Sequence, residues 1–527
     1  MQILHHAPAL HTGKNQYVNP MSVARIFGAQ PSVTGADIVT LETDLSRGLF
    51  AFSIVGLPGK AVEEARDRVN SAIKNTGFDA PKSQNHKVVI SLAPADLKKE
   101  GPLFDLPMAI SYLIASETIT ADVSKTIFIG ELGLDGTLHH VRGVLPIVRK
   151  AQALGFKEVI VPFENREEAA LIPDIVVIPA HSLDDVVRHI DTTRENHTRI
   201  PACPPTLIPT TWSEHTVRLE DIRGQESAKR GLMISAAGRH NVIMVGPPGT
   251  GKTMLARAFQ GILPPLTTDE ALEVTAIHSV AGTHANISAQ PPFRAPHHTA
   301  SYTALVGGGS HPKPGEITLA HKGVLFLDEF PEFERRTIDA LRQPLEDRVV
   351  SISRVHANAL FPADFILVAA MNPTRGGNEA GDYSHQMLET YKNKISGPIL
   401  DRIDLWLTVP HIDYDTLTEK RIIDTNLISE TERAREKILN ARVRQHARLQ
   451  GSGVSTNGEM TSRDIETYIE QSASVRELLK QSAQKLGLSP RGYHRLVKVS
   501  RTIADLDESD ELKEVHVLEA LHFRMKG

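Results

Sequence analysis

The stretch NVIMVGPPGTGKTMLARAFQGIL, residues 241–263, changes period twice, and that change decides the fold. Val242–Val245 is a short apolar run that suits a strand buried on both faces. Gly246, Pro247, Pro248, Gly249, Thr250 and Gly251 follow as a loop. Lys252 and Thr253 then open a helical pattern with Leu255, Phe259 and Ile262 on one face. Strand, glycine-rich loop and helix in this order make a phosphate cradle. Glycines let backbone N–H groups curl around an anion, and the helix N-terminus points its dipole at it. Lys252 is placed to reach the β- and γ-phosphates of ATP, and Thr253 to ligate Mg2+.

Working outward, KGVLFLDEF (322–330) reads as a buried strand ending in two acids. Asp328 is expected to hold the Mg2+ water shell and Glu329 to polarise the attacking water. FILVAAMNPT (365–374) is a second buried strand, ending in Asn372 where a side chain can orient that water. GPILDRIDLWL (397–407) sets Arg402 between Asp401 and Asp404. Two readings of Arg402 stand: an intramolecular ion pair, or an arginine finger offered to a neighbour's ATP.

The bulk numbers bound the rest. The chain has 527 residues, enough for about three domains. It is 41% hydrophobic and 23% charged, with a formal charge of −5. Mean hydropathy is −0.19 and the pI about 6.6. No apolar run is long enough to span a membrane, and the N-terminal residues lack the pattern of a secretion signal. Cys203 is the one cysteine, which excludes disulfide frameworks and cysteine-ligated zinc. A cytoplasmic location is expected. The acidic balance does not advertise nucleic-acid binding, so any phosphate contact must sit in a small local patch.

Residues 1–190 alternate strand-like and helical runs and are expected to form an α/β domain. Residues 191–215, rich in Pro and Thr, read as a linker. A second α/β block spans 216–412, and 413–527 is helical in pattern.

Together, VRLEDIRGQ, GPPGTGKT, VLFLDE, AAMNP and LDRIDL occur in the order found in AAA+ ATPases. The stretch FRAPHHTASYTALVGGGSHPKPGEITLAHKGVLFLDE (293–329) resembles the magnesium-chelatase-like branch, and essentially the whole chain resembles the ComM (YifB) subfamily. The resemblance implies an AAA+ P-loop module with a helical lid, preceded by a Lon-protease-like α/β domain. It further implies a homohexameric ATP-driven motor that promotes DNA branch migration in natural transformation, with recombination proteins as further partners. Carried over, Lys252 and Thr253 match Walker A, Asp328 and Glu329 Walker B, Asn372 sensor 1 and Arg402 the trans-acting finger. Arg491, or failing it Arg495, matches sensor 2 within LSPRGYHRLVKVSRTIADL (488–506).

In this branch an insert is expected to split the helix between the first and second strands, here around 299–318, and a second hairpin, within 347–365, to precede sensor 1. Both are expected to project toward a ring centre. Lys313 and Arg354 are the candidates for contact with single-stranded and branched DNA, with His311 third. A channel concentrates charge that the net balance hides. His297 and His298 read as structural histidines. Many relatives carry cysteines between the sensor 1 asparagine and the SGP.LDRID element; residues 372–398 here carry none, so no zinc is expected.

IGELGLDGTLHHVRGVLPIVRKAQALGFKEVIVPFENREEA (129–169) and KKEGPLFDLPMAIS (98–111) resemble the Lon proteolytic domain. Leu103 falls where its serine belongs and Leu145 where its lysine belongs, which implies a retained fold without peptidase chemistry. Ser91, Lys98 and Lys99 lie nearby should that alignment slip. Two other functions share the AAA+ features: the motor subunit of a metal-inserting chelatase, and a nucleotide-gated assembly scaffold.

Overall fold

The computed structural model describes residues 24–32, 35–212, 217–282, 287–309, 313–354, 357–372, 395–412 and 428–524. The chain divides into two compact units, Met1–Thr206 and Leu207–Gly527.

In the first unit the strands run β1 (Ala24–Ser32), β2 (Gly35–Arg47), β3 (Ala51–Val55), β4 (His86–Ala93), β5 (Thr126–Phe128), β6 (Glu131–Leu132), β7 (Leu138–His139), β8 (Glu158–Pro162) and β9 (Val176–Ala180). Seven of them form one sheet in the order β3-β4-β2-β1-β5-β8-β9, while β6 and β7 pair separately. β1–β2 and β2–β4 are antiparallel, and the remaining pairs of the sheet are parallel. In β2 every second residue from Val39 to Leu45 is buried, the period of a strand with one covered face. Helices α1 (Lys60–Asn75), α2 (Asp105–Ala115), α3 (Val144–Ala153), α4 (Arg166–Ala169) and α5 (Leu183–Ile190) accompany it. α1 buries Val62, Ala65, Val69, Ala72 and Ile73 at helical spacing.

The expected seam at residue 190 lies elsewhere. The Cys203 amide donates to the Val177 carbonyl at 2.8 Å, and Thr206 to Ala170 at 3.0 Å. The proline-rich stretch therefore stays with the first unit through Thr206. Prolines erase the periodic signal, but Cys203 among them still supplies an N–H group to β9, the edge strand of the sheet.

The second unit holds a five-stranded parallel sheet in the order β11-β14-β17-β10-β18. Its strands are β10 (Val242–Val245), β11 (Phe293–Arg294), β14 (Val324–Leu327), β17 (Ile366–Met371) and β18 (Leu405–Thr408). β14 and β17 are buried at every position, as parallel strands covered on both faces must be. Helices α6 (Glu226–Gly238), α7 (Lys252–Ile262) and α8 (Thr268–Ala281) follow the α/β alternation. Leu255, Phe259 and Ile262 of α7 are fully buried, as their spacing predicts.

The insert departs from expectation in its position. Short helix α9 (Tyr302–Val306), hairpin β12–β13 (Gly307–Gly308 with Lys313–Pro314) and short helix α10 (Glu316–Leu319) lie between β11 and β14. It therefore interrupts the connection between the second and third strands of the sheet, not the first and second. β11 is only two residues long, too short for its apolar signal to be read from sequence. Helices α11 (Arg335–Asp339) and α12 (Arg342–Asp347) lead to the second hairpin, β15 (Val349–Arg354) and β16 (Ala357–Pro362), which directly precedes β17.

α13 (Gly397–Leu400) precedes β18, and the rest is helical: α14 (Glu430–Arg448), α15 (Ser462–Tyr468), α16 (Ala473–Lys485), α17 (Pro490–Leu506) and α18 (Glu514–His522). α14 starts at a capping box, with Ser429 and Glu432 each accepting from the other's backbone. Ser489 caps α17 with Pro490 at its first position. Ile438, Leu496, Ile503 and Val517 from these helices share one hydrophobic core with Phe259, Val368 and Leu405.

Candidate active site

The ends of β10, β14 and β17 meet the start of α7. Gly246 leaves β10 so close to Val409 that a Cβ there would collide with that carbonyl oxygen. Gly249 and Gly251 have φ of 81° and 90°, the left-handed region that glycine enters without cost. α7 begins at Lys252, the residue after Gly251, so its free N–H groups face the loop. Lys252 Nζ donates to the carbonyls of Gly246 at 2.7 Å and Pro247 at 2.8 Å, and to Asn372 Oδ1 at 2.9 Å. Burial pushes this ammonium below the usual lysine range, against the pull of Asp328. Thr250 Oγ1 donates to the Pro247 carbonyl at 2.9 Å, and Pro248 completes the loop.

Thr253 Oγ1 donates to Asp328 Oδ2 at 3.1 Å. A hydroxyl and a carboxylate at that separation, beside a helix N-terminus, fit the hard-oxygen coordination of Mg2+ on a nucleotide. The donor set and the glycine-lined approach fit ATP with Mg2+. Glu329 follows Asp328 in the left-handed conformation, with φ 50° and ψ 44°, and its amide donates to Asp328 Oδ1 at 2.9 Å. Its carboxylate lies 3.2 Å from His298 Nδ1.

Arg402 stands at the other end of the sheet. Asn241, the residue before β10, donates from Nδ2 to the Arg402 carbonyl at 3.1 Å and from its amide to Asp404 at 2.9 Å. Gly246 lies five positions beyond Asn241, roughly 16 Å of strand at about 3.3 Å per step. Arg402 is thus remote from the phosphate loop of its own chain. It pairs with Glu346, whose Oε1 also receives Arg491 at 2.5 Å, and Arg495 donates to Asp404 Oδ1 at 2.6 Å. Burial, then Arg491, Arg495 and Arg342, push the Arg402 guanidinium below its usual range. The Nε atoms of Arg342 and Arg402 are buried without a hydrogen-bond partner among the described residues. Four arginines therefore crowd around Glu346, Asp404 and Asp339, the partner of Arg342, leaving cationic donors in excess. Both sensor 2 candidates belong to this cluster rather than to Lys252. Sequence reading missed Glu346, which joins Arg402 to Arg491; nothing in its local pattern marks it.

In the insert, Lys313 is exposed and sits in the last pair before the tip, opposite Gly308. Arg354 occupies the same place in the second hairpin, opposite Ala357. A Cβ on Gly307 would lie 3.2 Å from Ile352 Cδ1, so the base of the first hairpin abuts the second. His311 and the segment 373–394, on which the zinc expectation falls, lie outside the described residues. Among the described residues no group of three or more His, Cys, Asp or Glu side chains could hold a metal ion. No described helix is long and apolar enough to cross a membrane.

In the first unit Leu103 and Leu145 are both buried. Ser91 lies within β4, between Glu42 and Val55. Lys98 pairs with Glu100 at 2.8 Å. Lys99 is fully buried and donates to the carbonyls of Gly56, at 3.0 Å, and Pro94; burial lowers its pKa against the pull of Asp96.

Family models agree along the chain. Residues 218–417 match "Magnesium chelatase, subunit ChlI", 41–165 "Subunit ChlI of Mg-chelatase" and 429–524 the ChlI C-terminal model. Competence protein ComM of Haemophilus influenzae is 43% identical over 96% of this chain and 98% of its own length. The uncharacterized protein YifB of Escherichia coli is 42% identical over 96% and 97%. The magnesium-chelatase 67 kDa subunit of Chlorobaculum parvum is 27% identical over 30% of this chain and 24% of its own. With both ComM and YifB matched almost end to end, the chain belongs to the ComM/YifB subfamily of magnesium-chelatase-like AAA+ ATPases.

Proposed function

We propose that the chain is the subunit of a ring, six to the ring, that hydrolyses ATP to move on branched DNA and promote branch migration. ATP and Mg2+ use follow from family membership. The observation that carries the reading is the separation of two complementary half-sites. Lys252, Thr253, Asp328, Glu329 and Asn372 converge at one end of the sheet, while Arg402 and Arg491 gather at the other. A cationic cluster that cannot reach its own phosphate loop suits the loop of an adjacent copy.

Within this reading Lys252 holds the outer phosphates, and Thr253 and Asp328 hold Mg2+, which supplies charge neutralisation at the phosphoryl group. Glu329 accepts the proton of the attacking water, and Asn372 orients that water. Arg402 and Arg491 from the neighbouring subunit stabilise the developing charge. The helices from Glu430 onward act as the lid, sharing the core that runs beneath the sheet. Lys313 and Arg354 at the hairpin tips hold the strand. Similarity to a competence protein of Haemophilus influenzae supports a place in competence, where incoming DNA is recombined, with recombination proteins as partners. The first unit is read as a Lon-like fold without peptidase activity, since the two aligned catalytic positions are buried leucines.

The test is ATP turnover of the purified protein with forked, four-way or linear duplex DNA, or none. Branched DNA is expected to stimulate turnover most, and a four-way junction to be resolved into duplex products. Turnover indifferent to every DNA, with no ATP-dependent DNA binding, overturns the reading. The family models favour a second reading, a chelatase motor; stimulation confined to a metal-insertion partner supports it instead.

A further inference from the structure

A cavity of about 60 Å³ lies where the starts of β10, β17 and β18 meet the turn Asn457–Glu459 and α17. Arg239, Arg348, Arg495 and Lys498 line it. We propose that this cavity binds one monovalent inorganic anion of chloride size, held chiefly by Arg348 and Lys498.

The acids on the wall are fewer and already engaged. Asp404 takes Arg495 at 2.6 Å and the Asn241 amide. Asp364 takes Arg239 at 3.2 Å and, from outside the cavity, Lys322 at 2.9 Å. Glu459 accepts from the Ser455 amide at 2.7 Å and the Thr456 amide at 3.1 Å. Three carboxylates thus face four cations, and the wall is one negative charge short of balance.

Two of the cations lack good acceptors. Arg348 comes no nearer than 3.6 Å to Asp364 and 3.7 Å to Glu459, beyond hydrogen-bond reach. Lys498 carries three donors, and its one acceptor among the described residues is the Gly458 carbonyl at 3.3 Å. Burial pushes its ammonium down to about 8, while Asp404 pulls the other way. An anion in the cavity supplies the missing acceptor to both side chains.

The backbone points the same way. Arg239 and Arg348 are the residues that cap the ends of α6 and α12, and both stand in the left-handed conformation with φ 57°. Glycine is the usual occupant of such a cap, because a side chain there is strained. Two helix ends therefore carry strained arginines that line a single cavity. Size narrows the ligand. A water's share of the liquid is about 30 Å³, so the space admits a chloride and one water but no nucleotide or sugar phosphate. Arg348 is partly exposed, which leaves a way in from solvent. It also precedes β15, and its carbonyl accepts from the Ala363 amide at 2.8 Å. An occupied site therefore fastens the base of the second hairpin to α17.

The experiment uses the full chain in sodium gluconate, with chloride titrated in at constant ionic strength. Chlorine NMR line broadening reads binding, and the denaturation midpoint reads its effect on stability. Wild type is expected to show saturable broadening and a midpoint that rises with chloride. Bromide displaces the broadening, and sulfate does not. Lys498→Met and Arg348→Gly each weaken chloride binding by at least about tenfold, the loss of one charge-assisted hydrogen bond. Glycine suits the left-handed cap, so the Arg348 variant carries the comparison if the Lys498 variant folds poorly. A wild type without saturable broadening overturns the site and leaves the cavity to water. Broadening that persists undiminished in both variants places the ion elsewhere and overturns it too. Displacement by sulfate overturns the monovalent assignment.

Discussion

Lys252 and Asn372 are joined by a 2.9 Å hydrogen bond from Nζ to Oδ1, so the phosphate loop and the end of β17 act on each other directly. With Gly246 and Pro247 as its other acceptors, the ammonium has all three donors engaged. Phosphate oxygens compete with these acceptors, and Asn372 is the one whose side chain can turn away. Asn372→Ala is expected to leave nucleotide affinity within a few-fold and to lower turnover by roughly 10- to 100-fold, short of the loss of an oxyanion donor. Equilibrium titration and steady-state turnover separate the two effects.

Glu329→Gln should retain ATP binding and assembly while hydrolysing at least ~100-fold more slowly, the loss expected for a general base. Single-turnover measurement with pre-bound ATP checks it. A variant that fails to bind nucleotide speaks against this assignment.

The position of Arg402 at the far end of the sheet makes a mixing prediction. Arg402→Ala and Lys252→Ala subunits are each expected to be nearly inactive alone. Combined, they should recover part of the turnover, because a mixed interface pairs an intact loop with an intact arginine. Absence of recovery at every ratio counts against action between subunits.

Lys313→Ala and Arg354→Ala should weaken single-stranded DNA binding without altering basal turnover. Removing one cation from a phosphate lowers the slope of log affinity against log salt by roughly 0.7. Titrations at several salt concentrations read this out, and an unchanged slope in the double variant removes the hairpins from the DNA path.

Acid sensitivity should centre on Asp364. Lys322 reaches it at 2.9 Å, Arg239 at 3.2 Å and Arg348 at 3.6 Å. Burial alone would raise its pKa, but these three cations hold it well below the carboxylate range. Its stabilising contribution is therefore complete above the unfolded-state value, about 3.9, and is lost as pH falls from there toward the folded value. Asp364→Asn is expected to cost about 3–5 kcal/mol at pH 7, as when a buried charge cluster is deprived of one partner. The difference from wild type should narrow below about pH 4, measured as denaturation midpoints across pH.

The nucleotide loop is legible because phosphate chemistry demands consecutive residues: Gly246 to Thr253 are contiguous, and the strands ending at Asp328 and Asn372 announce themselves by unbroken apolar runs. The partners of these residues are not. Glu346 meets Arg402 and Arg491 across long sequence separations, and its own neighbourhood, RQPLEDR, reads as an ordinary solvated turn of helix. His298 reads as a structural histidine in the sequence because its partner is set by the register of a two-residue strand. The first seam falls later than the composition suggests because proline hides edge pairing, which Cys203 supplies. Local pattern records which backbone geometry a ligand needs; it does not record which side chains the fold later brings face to face.

Asn241 ties three strands together. Besides its bonds to Arg402 and Asp404, its Oδ1 accepts from the Leu367 amide at 2.9 Å, so the starts of β10, β17 and β18 are knotted at one residue. β10 then runs between two parallel neighbours without a bulge to Gly246. Such a strand offers a direct backbone connection between the arginine cluster and the phosphate loop. The two half-sites that the proposed function assigns to neighbouring copies are therefore ends of one rod within each copy, β10, fixed at Asn241 and running to Gly246.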